Sequence, residues 1–225
     1  MIRARFPRHL LLVGMAAASL SVAGCGGGGQ GVPTTAATSA KSADPGRETM
    51  RTLVAAARAR DQAAVEVLLS TRARRLPGEA LRVLREARPF TSGYRVVVSE
   101  KITDHFGLVA VEHWPEALAL SLRLEGDRWK VDTGQPLEIQ VLGPLPGQRT
   151  VVGQVAVELH GREEGGAALL YLDGVTLIDK VAWGPESATV FANLDSKLER
   201  GRHVAVAFAT RGDHAAARAW TFVAL

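Results

Sequence analysis

The side chains best suited to chemistry in this chain lie between residues 104 and 114. Asp104 precedes His105 and Glu112 precedes His113, so each pair sets a carboxylate beside an imidazole that could move a proton or bind a metal ion. A zinc site needs three or four converging ligands. Neighbours on a strand point to opposite faces, so Glu112 and His113 are not expected to hold one ion, and we predict neither a metal site nor a cofactor. A candidate pocket in this region would be lined by Tyr94, Asp104, Glu112 and Trp114.

Motifs that define common enzyme classes are missing from the sequence. There is no Gly-x-Ser-x-Gly stretch for a nucleophilic serine. Gly26–Gly29 is not a phosphate loop, because no strand precedes it and no Lys-Ser or Lys-Thr follows. Asp173 and Asp195 are residue types that could bind a calcium ion, but the Asp173-Gly174 dipeptide is more typical of a turn. We therefore predict no catalytic residues.

The single cysteine, Cys25, stands at the end of an export signal. Residues 1–9 carry three arginines, residues 10–20 are apolar or small, and Val22-Ala23-Gly24 precede the cysteine. A charged start, a short apolar run and small residues before a cut make a secretory signal, and the run is shorter than the ~20 residues of a membrane span. The stretch Val22–Cys25 resembles the lipobox of bacterial lipoproteins. The resemblance implies cleavage after Gly24, lipid on the Cys25 thiol and anchoring to the bacterial cell membrane or outer membrane.

Residues 25–45 follow the predicted signal peptide of residues 1–24. Apart from the lipidated cysteine they are mainly Gly, Pro, Thr, Ser and Ala, which cannot build a core, so we predict a flexible, disordered tether. Without the signal, the chain has 24 basic and 23 acidic residues. It has no basic cluster with interleaved aromatic residues, so we expect no nucleic-acid partner.

Helical periodicity dominates the part that follows the tether. Apolar side chains recur at helical spacing over residues 47–70, and Asp61 is placed to cap a second helix there. A further stripe runs through Leu81, Leu84 and Ala87, with Val83 beside it. We therefore predict helices that bury these stripes.

The period then changes to that of strands. The predicted strands are Tyr94–Ile102, Leu108–His113, Ala117–Glu125 and Arg128–Asp132. In the third, the leucines from Leu118 to Leu124 share one face. The opposite face, which carries Arg123, is expected to meet solvent. Gly126-Asp127 is a two-residue hairpin turn. Helices followed by an antiparallel meander define an α+β domain over residues 46–134.

This order, with the closing stretch Glu-Gly-Asp-Arg-Trp-Lys-Val-Asp over residues 125–132, resembles the nuclear-transport-factor-2-like (cystatin-like) fold. The resemblance implies a curved sheet wrapped around a helix, with a cone-shaped pocket. Members of that group include enzymes, binding modules and proteins without a known ligand, so the fold alone does not settle the function.

Residues 135–225 consist of short alternating runs separated by turn residues. The predicted strands are Val151–Leu159, Ala168–Leu172, Thr189–Leu194, Val204–Phe208 and Ala219–Val223. The predicted turns are Gly165-Gly166, Asp173-Gly174, Gly184-Pro185 and Gly212-Asp213. Many short strands punctuated in this way are typical of an all-β sandwich.

Three stretches of this segment, Leu170–Val175, Leu198–Val206 and Ala217–Val223, resemble bacterial immunoglobulin-like domains. The resemblance implies an immunoglobulin-like β-sandwich. In that family, the Leu-x-x-Gly-x-His stretch that ends here at His203 forms the corner leading into a core strand.

These features favour a membrane-anchored bacterial surface lipoprotein that acts as a non-enzymatic binding or assembly module at the cell envelope. Its partners would be the membrane and an envelope protein, for which the sandwich loops near Arg162–Glu164 and Arg211–His214 are candidate contacts. The alternative is a small-ligand carrier or an enzyme that uses a pocket in the first domain. A deep polar pocket with a buried acid would favour that alternative, and a pocket filled by leucines would favour the binding module.

Overall fold

The computed structural model describes residues 44–133, 135–161, 166–178, 187–194 and 198–225. The predicted signal peptide, Cys25 and the tether up to residue 43 lie outside the described residues. So do the predicted loop and turn within residues 162–165, the Gly184-Pro185 turn and Asp195. Within the described ranges, no helix combines the length and the hydropathy that a membrane span requires.

Two of the α-helices begin at an aspartate cap. The helices are α1 (Pro45–Ala59), α2 (Gln62–Leu68) and α3 (Glu79–Ala87), with short 3-10 helices at Ala73–Arg75 and Arg88–Ser92. The Asp44 side chain accepts hydrogen bonds from the first backbone N–H groups of α1. Before α2, the Asp61 carboxylate accepts one from the N–H of Ala64 at 2.9 Å. The predicted cap at Asp61 is therefore confirmed.

The buried face of helix α3 agrees only in part with the predicted stripe, because Ala87 is buried as expected and Leu81 is not. Ala80, Val83 and Ala87 are buried, whereas Leu81 is 53% exposed. Both stripes have helical spacing, so periodicity alone cannot separate them. The structure buries the smaller side chains, which lets α3 pack closely on α1 and α2. The prediction that Leu81 is a core residue is wrong.

The first sheet is an antiparallel meander that follows the helices. Its strands, in both chain and spatial order, are β1 (Arg95–Lys101), β2 (Phe106–His113), β3 (Glu116–Glu125) and β4 (Arg128–Val131). Leu118, Leu120 and Leu122 of β3 are buried against the helices, as the alternation predicts. Glu125 pairs with Arg128 across the predicted two-residue turn, which is confirmed.

Eight further strands form two sheets that face each other. They are β5 (Glu138–Gly143), β6 (Arg149–Thr150), β7 (Gln154–His160), β8 (Ala167–Leu172), β9 (Val175–Ile178), β10 (Ser187–Asn193), β11 (Gly201–Arg211) and β12 (His214–Ala224). One sheet has the order β10-β7-β5 and the other the order β6-β12-β11-β8-β9. All pairings are antiparallel except that of β6 with β12. The sequence pattern predicts five of these strands, and it does not predict β5, β6 and β9.

The second face of the first sheet is covered by the five-stranded sheet. Phe106 and Leu108 of β2 belong to one buried cluster with Val206 and Phe208 of β11. On β3 this face carries alanines and Arg123, whose side chain is only 15% exposed. The expectation that this face meets solvent is therefore wrong. Both faces of the first sheet are buried, one by helices and one by strands.

The described chain is thus an α+β part, with helices before an antiparallel sheet, followed by a β-rich part with two facing sheets. The two parts share a hydrophobic core between the first sheet and the five-stranded sheet. Strand β11 lies at the centre. Its residues Val204, Val206 and Phe208 face the first sheet, and its alanines face the three-stranded sheet.

Candidate functional site

Two of the predicted pocket acids lie at opposite ends of the first sheet. Asp104 is in the β1–β2 connection, where its carboxylate is 2.7 Å from Lys101 Nζ at the surface. Glu112 is at the far end of β2, where its carboxylate is 2.5 Å from Arg95 Nε. Five residues of paired strand separate the two ends, or about 17 Å. Both acids therefore form cross-strand or turn ion pairs and do not share a pocket.

The predicted pocket aromatics are also apart from Asp104. Tyr94, just before β1, packs against the helical core, and Trp114 lies under the guanidinium of Arg202 at 4.8 Å. Neither lines a cleft described below. His113 Nε2 is 3.1 Å from Ser92 Oγ at the surface. Among the described residues, no three His, Cys, Asp or Glu side chains cluster as metal ligands would.

The space between the helices and the first sheet is filled by apolar side chains. Met50 and Leu53 of α1, Phe90 of the second 3-10 helix and Leu122 of β3 are almost fully buried there. Packing of this kind fills the part of this interior around Met50, Leu53 and Leu122.

A cleft of about 670 Å³ lies instead where α3, β3, β12 and the β4–β5 connection meet. This volume falls within the ~300–1,000 Å³ that is usual for ligand pockets. Alanines of β3 and β12 form its floor, and Phe90, Leu120 and Leu137 add apolar surface. The cleft is built jointly by the α+β part and the β-rich part.

One border of the cleft is the edge of β3 that faces away from β2. β4 pairs only with Leu122–Glu125, so the first half of β3 has a strand neighbour on the β2 side alone. Ser121 accepts a hydrogen bond from the N–H of Asp132 on the β4 side. Alternate residues of an antiparallel strand turn their backbone groups to the same side, so Ala117 and Ala119 also point toward this edge. Among the described residues, the N–H and C=O groups of Ala117 have no backbone partner on that side, and the position opposite Ala119 in the register with β4 lies outside the described residues.

Strand β12 borders the same cleft with the edge that faces away from β11. Its residue Thr221 accepts a hydrogen bond from the N–H of Gly147 on the side away from β11. By the same alternation, Ala217 and Ala219 turn their backbone groups to that side. Strand edges from two packed sheets therefore border one cleft.

Charged side chains of both signs stand on the walls. Arg82 of α3 is held by Glu79 at 2.6 Å and by Glu86 at 2.7 Å, and the hydrogen bond to Glu79 raises the pKa of Arg82. Arg218 of β12 donates to the carbonyl of Ile139 at 2.9 Å and so links β12 to β5. Arg85 of α3 and Glu138 of β5 are exposed on different walls.

A buried carboxylate closes one end of the cleft. The Asp132 side chain is 0% exposed and accepts hydrogen bonds from Ser70 Oγ at 2.7 Å, Arg72 Nη2 at 3.0 Å and Arg123 Nε at 3.1 Å. Burying an ionised carboxylate lowers the stability of the fold unless partners of this kind surround it. Because Arg72 and Arg123 both contact it, Asp132 belongs to a structural cluster of ion pairs.

The same arginines bind the β11–β12 turn. Arg123 Nη1 is 2.8 Å from the Asp213 carboxylate, and Arg72 Nη1 donates to the Asp213 carbonyl at 3.0 Å. Burial alone would lower the pKa of Arg123, but the hydrogen bonds to Asp213 and Asp132 outweigh it and raise that pKa. The turn Arg211–His214, expected as a loop for a partner, thus contacts the first part of the chain.

A second cavity of about 400 Å³ lies between the β1–β2 connection and the strands β8 and β11. The Tyr171 hydroxyl donates a hydrogen bond to the Glu100 carboxylate beside it. Burial, with this bond, raises the pKa of Tyr171, so the hydroxyl stays protonated and remains a donor.

The cleft residues were not predicted as a site, although the sequence carries a signal of them. Ala117 and Ala119 occupy the face of β3 that alternation assigns to solvent, and the stretch Ala215–Ala219 is also rich in alanine. Small apolar residues at such positions indicate a close approach of two strands. They do not indicate how far along β3 the neighbouring strand β4 extends.

No protein-family model matches this chain, and no curated protein matches it. Among solved structures, the crystal structure of an engineered protein from a structural genomics consortium is similar to part of the chain, with a TM-score of 0.29 and 14% identity. That match covers 46% of this chain and 23% of the engineered one. Agreement of this size does not establish a shared fold.

Proposed function

We propose that the protein is a lipid-anchored bacterial envelope protein whose described part is a non-enzymatic binding or assembly module. The observation that carries the proposal is the cleft of about 670 Å³ that is bordered by α3 and by the strands β3 and β12. It offers an apolar lining and charged side chains of both signs, which are features of a binding surface.

The filled interior of the α+β part supports binding over catalysis at that position. Leu122, with Met50 and Leu53, occupies the space where a cone-shaped pocket would open. The acids Asp104 and Glu112 are committed to Lys101 and Arg95 at the surface.

The contacts between the two parts support a rigid module. The shared core at Leu108 and Phe208 and the hydrogen bonds of Arg123 hold the walls of the cleft in fixed positions. A preorganised cleft loses less entropy on binding than a flexible one.

We further propose that the β-rich part is an immunoglobulin-like domain. Its facing sheets, β10-β7-β5 and β6-β12-β11-β8-β9, follow the strand arrangement typical of that architecture. His203, near the start of β11, has Nε2 2.8 Å from the Glu199 carbonyl and Nδ1 2.6 Å from Asp173. These contacts support the expected corner. The α+β part, with helices before a four-stranded meander, is compatible with a nuclear-transport-factor-2-like domain.

The anchor is tested at Cys25. In a bacterial host that labels lipoproteins with a radioactive fatty acid, Cys25→Ala should abolish the label and leave the precursor uncut, because no thiol remains to accept lipid. Undiminished labelling of the variant would contradict a lipid anchor.

The binding role is tested by complementation of a deletion strain. Replacing Asp104, His105, Glu112 and His113 by alanine should leave the envelope function intact, because these side chains are outside the cleft. A charge-swapped cleft is expected to lose it, together with crosslinks to envelope proteins. This second variant carries Arg85→Glu and Glu138→Lys.

A matched control for the cleft variant is Arg128→Glu with Glu199→Lys, the same charge swap at exposed positions elsewhere. Loss of function in the quadruple alanine variant, if still folded and anchored, would favour an enzyme or small-ligand carrier. Equal behaviour of the cleft variant and its control would remove the cleft from the proposal.

A further inference from the structure

We propose that the second cavity, between the first sheet and the five-stranded sheet, binds a small organic ammonium ion with an apolar body, such as an arylalkylamine. Its volume of about 400 Å³ lies within the ~300–1,000 Å³ that is usual for ligand pockets. Among the described residues, none lines both this cavity and the cleft. The inference therefore goes beyond the proposed function of the cleft and does not depend on it.

The two walls of the cavity are side chains that project from facing sheets. Glu100 and Ile102, near the end of β1, line it from the side of the first sheet. Leu169 and Tyr171 of β8 and Phe208 of β11 line it from the side of the five-stranded sheet, where they belong to the core shared by the two sheets. The interior is therefore apolar and partly aromatic, which suits the hydrophobic body of a ligand.

A carboxylate stands at the mouth of this cavity. Glu100 is exposed, and it accepts a hydrogen bond from the Tyr171 hydroxyl. Burial raises the pKa of Tyr171, so the hydroxyl remains a donor and holds one carboxylate oxygen. Over the described part of the chain, the Glu100 carboxylate has no second hydrogen bond and no ion pair. Its other oxygen is therefore open to a donor on a ligand.

The charges around the cavity favour an organic cation. Lys101 also lines the cavity, but its ammonium group is 2.7 Å from the Asp104 carboxylate at the surface. Glu100 would repel an anion, and a metal ion needs three or more converging ligands, which the described residues do not provide. An ammonium group has three donors, and the hydroxyls of Thr176 and Thr210 line the same cavity as further acceptors.

A close contact between the sheets fixes the width of the cavity. Gly174, in the β8–β9 turn, approaches β1 so closely that a Cβ atom on it would lie 2.7 Å from the Val97 carbonyl oxygen. Glu100 follows Val97 by three residues, and Tyr171 precedes Gly174 by three, so their hydrogen bond lies beside this contact. The walls and the carboxylate are thus in place before a ligand binds, which limits the entropy lost on binding.

The test compares three probes of similar shape on the full-length chain purified in detergent. The probes are 2-phenylethylammonium, the neutral 2-phenylethanol and the anionic phenylacetate. Methyl NMR reports where they bind, because Ile102 and Leu169 line this cavity and Ile139 lines the cleft.

The ammonium ion should shift the methyl signals of Ile102 and Leu169 saturably, with a dissociation constant on the order of 1 mM, and leave Ile139 unchanged. The alcohol should bind about tenfold more weakly, and phenylacetate should not bind. Equal affinity for the ammonium ion and the alcohol, or shifts at Ile139 in place of Ile102, would overturn the inference.

The role of the carboxylate is tested by Glu100→Gln, which keeps an acceptor for Tyr171 and removes the charge. Binding of the ammonium ion should weaken about tenfold, as expected for the loss of a charge-assisted hydrogen bond, and binding of the alcohol should not change. The matched control is Glu138→Gln, the same substitution at an exposed acid on the cleft wall, and it should change neither affinity. An ammonium affinity that Glu100→Gln leaves unchanged, or that the control lowers equally, would refute the site.

The cavity itself is tested by Thr176→Trp. Thr176 is exposed on β9, so the fold should persist, and the indole should fill the mouth and abolish the binding of both the ammonium ion and the alcohol. Undiminished binding in the folded variant would place the ligand elsewhere and overturn the inference. If circular dichroism shows that Thr176→Trp does not fold, the comparison of Glu100→Gln with its control decides.

Discussion

Reversing the charge of Arg123 is expected to destabilise the protein strongly, although the residue lies on the face of β3 that the sequence pattern assigns to solvent. Its guanidinium contacts the buried Asp132 at 3.1 Å and Asp213 at 2.8 Å, and it lies over the ring of Phe106 at 5.0 Å. Arg123→Asp would replace these contacts by a carboxylate beside two others.

The magnitude follows from the burial of the partners. Removing one partner of a buried ion pair costs ~3–5 kcal/mol. Asp132 would keep Arg72 and Ser70, which lowers the cost, and the introduced carboxylate would repel it, which raises the cost. Asp213 is 77% exposed, so its share is only ~0–1 kcal/mol. We expect a loss of ~3–5 kcal/mol in the free energy of unfolding, or ~6–20 °C in Tm for a chain of this size.

The assay is urea and thermal unfolding of the full chain, followed by tryptophan fluorescence. The matched control is Arg128→Asp, the same substitution in the same sheet at a side chain that is 75% exposed, and it should change stability by less than ~0.5 kcal/mol. If Arg123→Asp costs no more than its control, the reasoning from the buried charge pair is refuted.

Three further outcomes are expected. Val83→Ala should cost ~2 kcal/mol because Val83 is fully buried, whereas Leu81→Ala should be nearly neutral; equal costs would contradict the buried stripe of α3. Burial raises the pKa of Tyr171, so its contribution to stability should be complete below pH ~10 and decline above it. Ultraviolet titration should then show a tyrosine that ionises only on alkaline unfolding, and this step should vanish in Tyr171→Phe. The isolated fragments 46–134 and 137–225 should keep strand content by circular dichroism but bind a hydrophobic dye, because each exposes its half of the shared core; fragments that bind no dye would show that this core is dispensable.

Much of the local structure follows from the sequence because it depends on short-range physics. The leucines of β3 alternate at the strand period, the Gly126-Asp127 turn closes its hairpin, and Asp61 caps α2. Each feature involves residues within a few positions of one another. Helices followed by antiparallel strands could therefore be predicted, and so could most strands of the second part.

The candidate site could not be predicted, because it depends on contacts between distant segments. The separation of Asp104 from Glu112 is the exception, because the extended strand β2 (Phe106–His113) alone keeps them apart. The cleft needs α3, β3 and β12 together, and these elements are far apart in the chain.

The sequence by itself predicts the export and lipidation signal. It also determined the order of helices and strands and the face of β3 that carries the leucines. The tertiary structure alone decided that the opposite face is also buried, with Arg123 drawn into a charge pair, and that β4 pairs only with Leu122–Glu125 of β3. The physical reason is that periodicity reports how side chains divide between two faces. What covers each face, and where a neighbouring strand stops, is set by packing between segments that lie ninety or more residues apart.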